Sequence, residues 1–84
     1  MLMPDVDVLV YAHRQDAPQH REYKAWLEDQ MRSDAAYAVS DLVLSGFIRI
    51  VTHPRIFSKP SPLASALEFA TEVRERSNCL VISP

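Results

Sequence analysis

Three aspartates fall beside apolar runs, where a charge needs a reason. Asp5 and Asp7 interrupt "MLMPDVDVLVYAHR", and Asp41 follows "AYAVS". Carboxylates that converge suit a hard divalent cation such as Mg²⁺ or Mn²⁺, which prefers oxygen ligands. Such an ion activates water and stabilises charge in phosphodiester hydrolysis. Each aspartate also has a plainer use. An aspartate can satisfy backbone N–H groups at a turn or helix start, which suits Asp5 and suits Asp7 better. Asp41 opens a helix, where the dipole favours a carboxylate in any case.

Other site chemistries lack their residues. Gly46 is the only glycine, so there is no glycine-rich phosphate loop, and neither G-x-S-x-G nor H-E-x-x-H occurs. Cys79 is the only cysteine, which excludes a disulfide framework or a multi-cysteine zinc site within the chain. His13 and His20 flank "RQDAPQ" and read as surface residues, and His53 reads as a helix C-terminal residue beside Pro54.

The net charge of −2 advertises no nucleic-acid partner, but its distribution is uneven. No acid lies between Asp41 and Glu68, while Arg49, Arg55 and Lys59 all do. These three are either a solvated basic face or a phosphate-contacting patch. Glu68, Glu72 and Glu75 have the spacing of a solvated helical face. No apolar run is long enough to span a membrane, and the N-terminus lacks a secretory pattern, so a cytoplasmic protein is expected.

The elements that would position these groups alternate. The opening of residues 2–12 reads as a short strand with Asp5 near its C-terminal end. "VDVLVYAHR" either continues that strand or turns into a helix capped near Asp7. "APQHREYKAWLEDQMRS" predicts a helix, with Pro18 in its first turn and Tyr23, Trp26, Leu27 and Met31 on its apolar face. "AYAV" predicts a strand, with Ser40 capping a helix over 41–52 that Pro54 ends. "HPRIFSKPSP" has three prolines in ten residues and reads as an ordered loop. Ser61 and Pro62 predict the cap and first residue of a helix over 62–76. "CLVIS" reads as a strand buried on both faces. One α/β domain over residues 1–84 is expected, with a parallel sheet between helices. In a parallel sheet, ligands bind at the carboxyl ends of strands, and Asp5 stands there. A strand ending at Pro84 has no covering helix after it, so the chain reads as truncated before its C-terminal strands.

"MLMPDVDVLVYAHR" followed by "AVSDLVLSGFIRIVTHPRIF" resembles the N-terminal half of PIN-domain toxins of the VapC type. The branch it resembles carries "D-V-N-V-L-V-Y-A" and "R-x-x-T-x-P-R-x-F". The resemblance implies a PIN-like parallel sheet flanked by helices and a metal-dependent ribonuclease blocked by a VapB-like antitoxin. The family's first metal-binding aspartate falls on Asp5, which makes Asp5 the implied catalytic and metal-binding residue. The usual asparagine two residues later is Asp7, and the position of a common glutamate ligand is Gly46. Asp41 is the nearby carboxylate that would substitute as a metal ligand. Mg²⁺ or Mn²⁺ is the implied cofactor, RNA the substrate, and Arg49, Arg55 and Lys59 the candidate phosphate contacts. The family's further acids come from its C-terminal half. Two functions therefore compete: a ribonuclease, and an inactive half-domain that pairs with an antitoxin or with itself as a homodimer.

Overall fold

The structure, a computed structural model, describes residues 2–83. Its elements run α1 (Val6–His13), α2 (His20–Arg32), β1 (Tyr37–Ser40), α3 (Asp41–Val51), α4 (Leu63–Arg74) and β2 (Cys79–Ile82). β1 and β2 pair in parallel, with Tyr37 opposite Cys79 and Ser40 opposite Ile82. This is an α/β arrangement of four helices on a short parallel sheet, as the alternation of elements predicts.

β1 is the centre of the core. Tyr37, Ala38 and Val39 are almost wholly buried, and Leu9, Phe47, Val51 and Val73 close around them from α1, α3 and α4. The Tyr37 hydroxyl is satisfied by donating to the Val73 carbonyl at 2.5 Å. Burial, with a smaller contribution from Cys79, pushes the Tyr37 phenol well above its usual range.

Local chemistry explains most boundaries. Ser40 caps α3 by accepting the Val43 amide at 3.0 Å, as expected from sequence. α2 starts at His20, two residues after Pro18, and Gln19 before it takes a left-handed conformation with φ 59°. Its C-terminal end is tied to the start of β2, because the Asn78 amide donates to the carbonyls of Gln30, Ser33 and Ala35.

Several expectations are corrected. The opening segment makes one parallel bridge, Leu2 to Tyr37, and not a full strand, because Pro4 has no amide to donate and α1 begins at Val6. Asp5, not Asp7, caps α1 by accepting the Val8 amide at 3.3 Å, while Asp7 lies exposed in the first turn. Ser61 does not cap α4. That helix starts at Leu63 after Pro62 with no side-chain cap, and the Ser61 hydroxyl is engaged elsewhere. β2 is not buried on both faces: Leu80, Val81 and Ile82 are 49%, 38% and 44% exposed, since no described layer packs over them. No helix among the described residues is long and apolar enough to cross a membrane.

Candidate functional site

The backbone sorts the candidate residues onto two ends of the fold. Leu2, β1 and β2 lie side by side and parallel, in that order. The Ala38 amide donates to the Leu2 carbonyl at 2.8 Å, and the Tyr37 amide donates to the Asn78 carbonyl at 3.0 Å. Neighbouring residues of a strand face opposite sides, so Leu2 and β2 flank β1. Asp5 follows Leu2 by three residues, as Ser40 follows Tyr37 and Ile82 follows Cys79. Asp5, Asp41 and Ser83 therefore leave the sheet at its carboxyl edge, the edge at which parallel α/β sheets bind ligands.

At that edge Asp5 is exposed, and the only described hydrogen bond of its carboxylate is the long one from the Val8 amide. Asp41 is more engaged. The Ser83 hydroxyl donates to its Oδ2 at 2.8 Å, and the Arg74 guanidinium lies 3.7 Å from its Oδ1. Asp41 and Arg74 line opposite walls of a groove of about 360 Å³ between α3 and α4, with Leu44, Ile48 and Thr71. Gly46 sits midway along α3 against the start of α1, where a Cβ would meet Val6 Cγ2 at 3.5 Å, an ordinary contact. A side chain at 46 would thus point at the residue next to Asp5.

A divalent cation does not fit these residues alone. Among the described residues no three acidic, histidine or cysteine side chains converge. Asp41 already has a cation in Arg74, and two carboxylates leave a Mg²⁺-sized ion mostly hydrated.

The basic candidates stand at the other end. α1 and α3 both start at the carboxyl edge, and their C-terminal ends meet at Ser61, whose amide donates to the Val51 carbonyl at 2.7 Å. Arg49, Arg55 and Lys59 belong to that end and are exposed, with no ion pair among the described residues. A helix of eight residues like α1 is about 12 Å long, so these cations lie about one helix length from Asp5. The structure brings Asp5 and Asp41 to one edge and does not bring the cations to them.

Sequence reasoning missed Arg14 and misplaced His13 and His20. The Arg14 side chain is buried, pairs in fork geometry with Asp16 at 2.9 and 2.6 Å, and donates to the Lys59 carbonyl at 2.7 Å and to Ser61 Oγ at 3.2 Å. Its guanidinium carbon stacks 4.0 Å over the Phe57 ring. The Arg14 guanidinium holds the Asp16 carboxyl below its usual range. His13 is not a surface residue: its ring packs edge-on to Phe47 and Phe69, with Nε2 3.1 Å from Ser61 Oγ. Burial, then the charges of Arg14 and His20, lower its pKa. His20 Nδ1 donates to the Tyr11 carbonyl at 2.9 Å, linking α1 to α2. The stretch "HPRIFSKPSP" gave the only signal, an ordered loop that needs something to order it.

A parallel α/β sheet with aspartates at its carboxyl edge defines the class to which this chain's fold and site belong. The chain is 39% identical over all 84 of its residues to Ribonuclease VapC25 of Mycobacterium tuberculosis, of which it covers 59%. It is 48% identical over 61 residues, 73% of the chain, to VapC ribonuclease Mb2897 of Mycobacterium bovis, covering 42% of that protein. To Ribonuclease VapC33 of M. tuberculosis it is 33% identical over 78 residues, 93% of the chain and 54% of the relative. Along its whole length the chain is similar to ribonucleases of the VapC type, and it spans about three-fifths of the length of VapC25. No family model matches the chain.

Proposed function

We propose that this chain is the Asp5-bearing part of a VapC-type endoribonuclease, the toxin of a VapBC toxin–antitoxin pair. The observation that carries the reading is the position of Asp5, exposed at the carboxyl end of the first sheet segment. An anionic group there cannot attract RNA by itself, because phosphate is also anionic. Its use in phosphodiester cleavage requires a cation, Mg²⁺ or Mn²⁺, held by more carboxylates than this chain brings together. Asp41 is the second candidate ligand, freed if Arg74 and Ser83 turn away. Arg49, Arg55 and Lys59 would hold the flanking RNA backbone, whose length easily exceeds the separation of the two ends. A VapB-like antitoxin, a homodimer, a single PIN-like domain over residues 1–84 and a cytoplasmic setting complete the reading.

The test is RNA cleavage by a chimera in which residues 1–84 are joined to the part of VapC25 outside the matched region. Cleavage is expected to need Mg²⁺ or Mn²⁺, to stop with EDTA, and to stop in Asp5→Ala with the fold intact. Undiminished cleavage by Asp5→Ala overturns the assignment. A second reading, a binding module without nuclease activity, is favoured by the exposure of Leu80, Val81 and Ile82. A folded chimera that leaves RNA uncut supports that reading instead.

A further inference from the structure

The carboxyl edge gathers negative charge. Asp5 and Asp7 stand at the start of α1, Asp41 opens α3, and Glu75 ends α4 beside the groove. A polyanion brought to Asp5 must pass these carboxylates, and Arg49, Arg55 and Lys59 lie about a helix length away. Arg74 brings a cation to this edge. It stands in the last turn of α4, where the helix dipole favours a positive charge, on the groove wall facing Asp41.

Two arginine–aspartate pairs differ in how far their groups are engaged. Arg14 closes a fork on Asp16 at 2.9 and 2.6 Å and donates a further N–H to the Lys59 carbonyl. Arg74 lies 3.7 Å from Asp41, beyond hydrogen-bond length, and no described hydrogen bond engages its guanidinium. Its side chain is 47% exposed, against 9% for Arg14. Asp41 Oδ2 meanwhile accepts the Ser83 hydroxyl at 2.8 Å. An exposed pair held by charge alone contributes little to stability and opens readily.

We infer that Arg74 is the residue that meets an RNA phosphate at the Asp5 edge, and that Asp41 holds it in place until RNA arrives. The guanidinium N–H groups form a planar fork that fits two phosphate oxygens, and these donors have no described hydrogen bond. A phosphate that takes up the fork replaces a 3.7 Å contact with two charge-assisted hydrogen bonds. Asp41 keeps its bond from Ser83 through the exchange, so the edge need not rearrange. Arg49, Arg55 and Lys59 then hold RNA further along, and Arg74 offsets the carboxylates where the chain would be cut. The inference rests on the ribonuclease reading and deepens it by naming a substrate contact. Arg74 binds phosphate in it and breaks no bond.

The experiment measures binding of the 84-residue chain to a short, labelled single-stranded RNA of mixed sequence by fluorescence anisotropy. EDTA is present throughout, so neither a divalent cation nor metal-dependent cleavage contributes. Affinity is followed across a salt series for the unaltered chain and for Arg74→Gln, Arg74→Lys and Arg32→Gln. Arg74→Gln is expected to weaken binding about fivefold at low salt and to reduce the salt slope by about 0.7, one phosphate contact on a single strand. Arg74→Lys keeps the charge without the fork, and is expected to restore the slope but only part of the affinity. Arg32→Gln removes the same charge from α2, where Arg32 pairs with Glu28, and is expected to leave the slope unchanged. Absence of RNA binding by the folded chain overturns the inference. So does an unchanged slope in Arg74→Gln, or an equal loss in Arg32→Gln, which would reduce Arg74 to general charge. If Arg74→Gln fails to fold, Arg74→Lys decides alone, and an affinity equal to that of the unaltered chain overturns the inference. A VapC25 chimera that leaves RNA uncut, while Arg74→Gln still lowers the slope, would refute the ribonuclease reading and not the phosphate contact.

Discussion

The two ends of α1 are built to different standards. At its C-terminal end His13 and Arg14 bind the proline-rich loop through Ser61 and the Lys59 carbonyl, and Phe47, Phe57 and Phe69 pack around them. At its N-terminal end the Asp5 carboxylate accepts one long cap hydrogen bond and faces solvent, next to the exposed Met3. Polar groups at the first end are spent on holding the fold. Those at the second end are left over, and groups left over at the carboxyl edge of a parallel sheet are the ones available for a ligand. The Arg14 end holds the fold, and the Asp5 end is the one we propose for chemistry.

Breaking the Arg14 end should have the largest effect. Arg14→Ala strips the Lys59 carbonyl and Ser61 hydroxyl of a charged donor and empties the face of Phe57, and should cost about 2–4 kcal/mol in a denaturant melt. Arg14→Lys should recover little, because an ammonium cannot reproduce the fork to Asp16 and the stack together. Ser61→Ala removes one hydroxyl shared by His13 and Arg14 and should cost about 1–2 kcal/mol.

The same end predicts a pH response. His13 has its folded pKa lowered below the ordinary 6.5 by burial first and by Arg14 and His20 next, so the unfolded chain takes the proton more readily. Its contribution is therefore full above about pH 6.5 and is lost as pH falls through that value to the folded pKa. Melts between pH 8 and pH 5 should show this fall, and it should flatten in His13→Gln. A gain is expected at Gly46. Its Cβ space is free of close contacts, so Gly46→Ala should stabilise α3 by about 0.5–1 kcal/mol.

Much of this contrast was legible in the sequence, for identifiable reasons. The Ser40 cap, the helix after it and the apolar stripe of α2 are local features, set by residues three or four apart, and the structure keeps them. That Asp5 follows the opening sheet segment was also readable, because an aspartate inside "LMPDVDVLV" is conspicuous, although that segment makes a single bridge and not the expected strand. What failed depends on distant partners. Ser61 looks like a cap until His13 and Arg14, 48 and 47 residues away, claim its hydroxyl. His13 looks like a surface residue until Phe47 and Phe69 fold over it. "CLVIS" has the composition of a buried strand, but burial belongs to whatever packs on it, which composition does not specify.

The most direct test measures cleavage and stability together for Asp5→Asn in the VapC25 chimera. Asparagine keeps the capping oxygen and loses the charge, so stability should change by no more than about 0.5 kcal/mol. RNA cleavage should be lost in the same sample. Cleavage that survives, or a loss of stability large enough to account for the lost activity, would mean that Asp5 is only a helix cap.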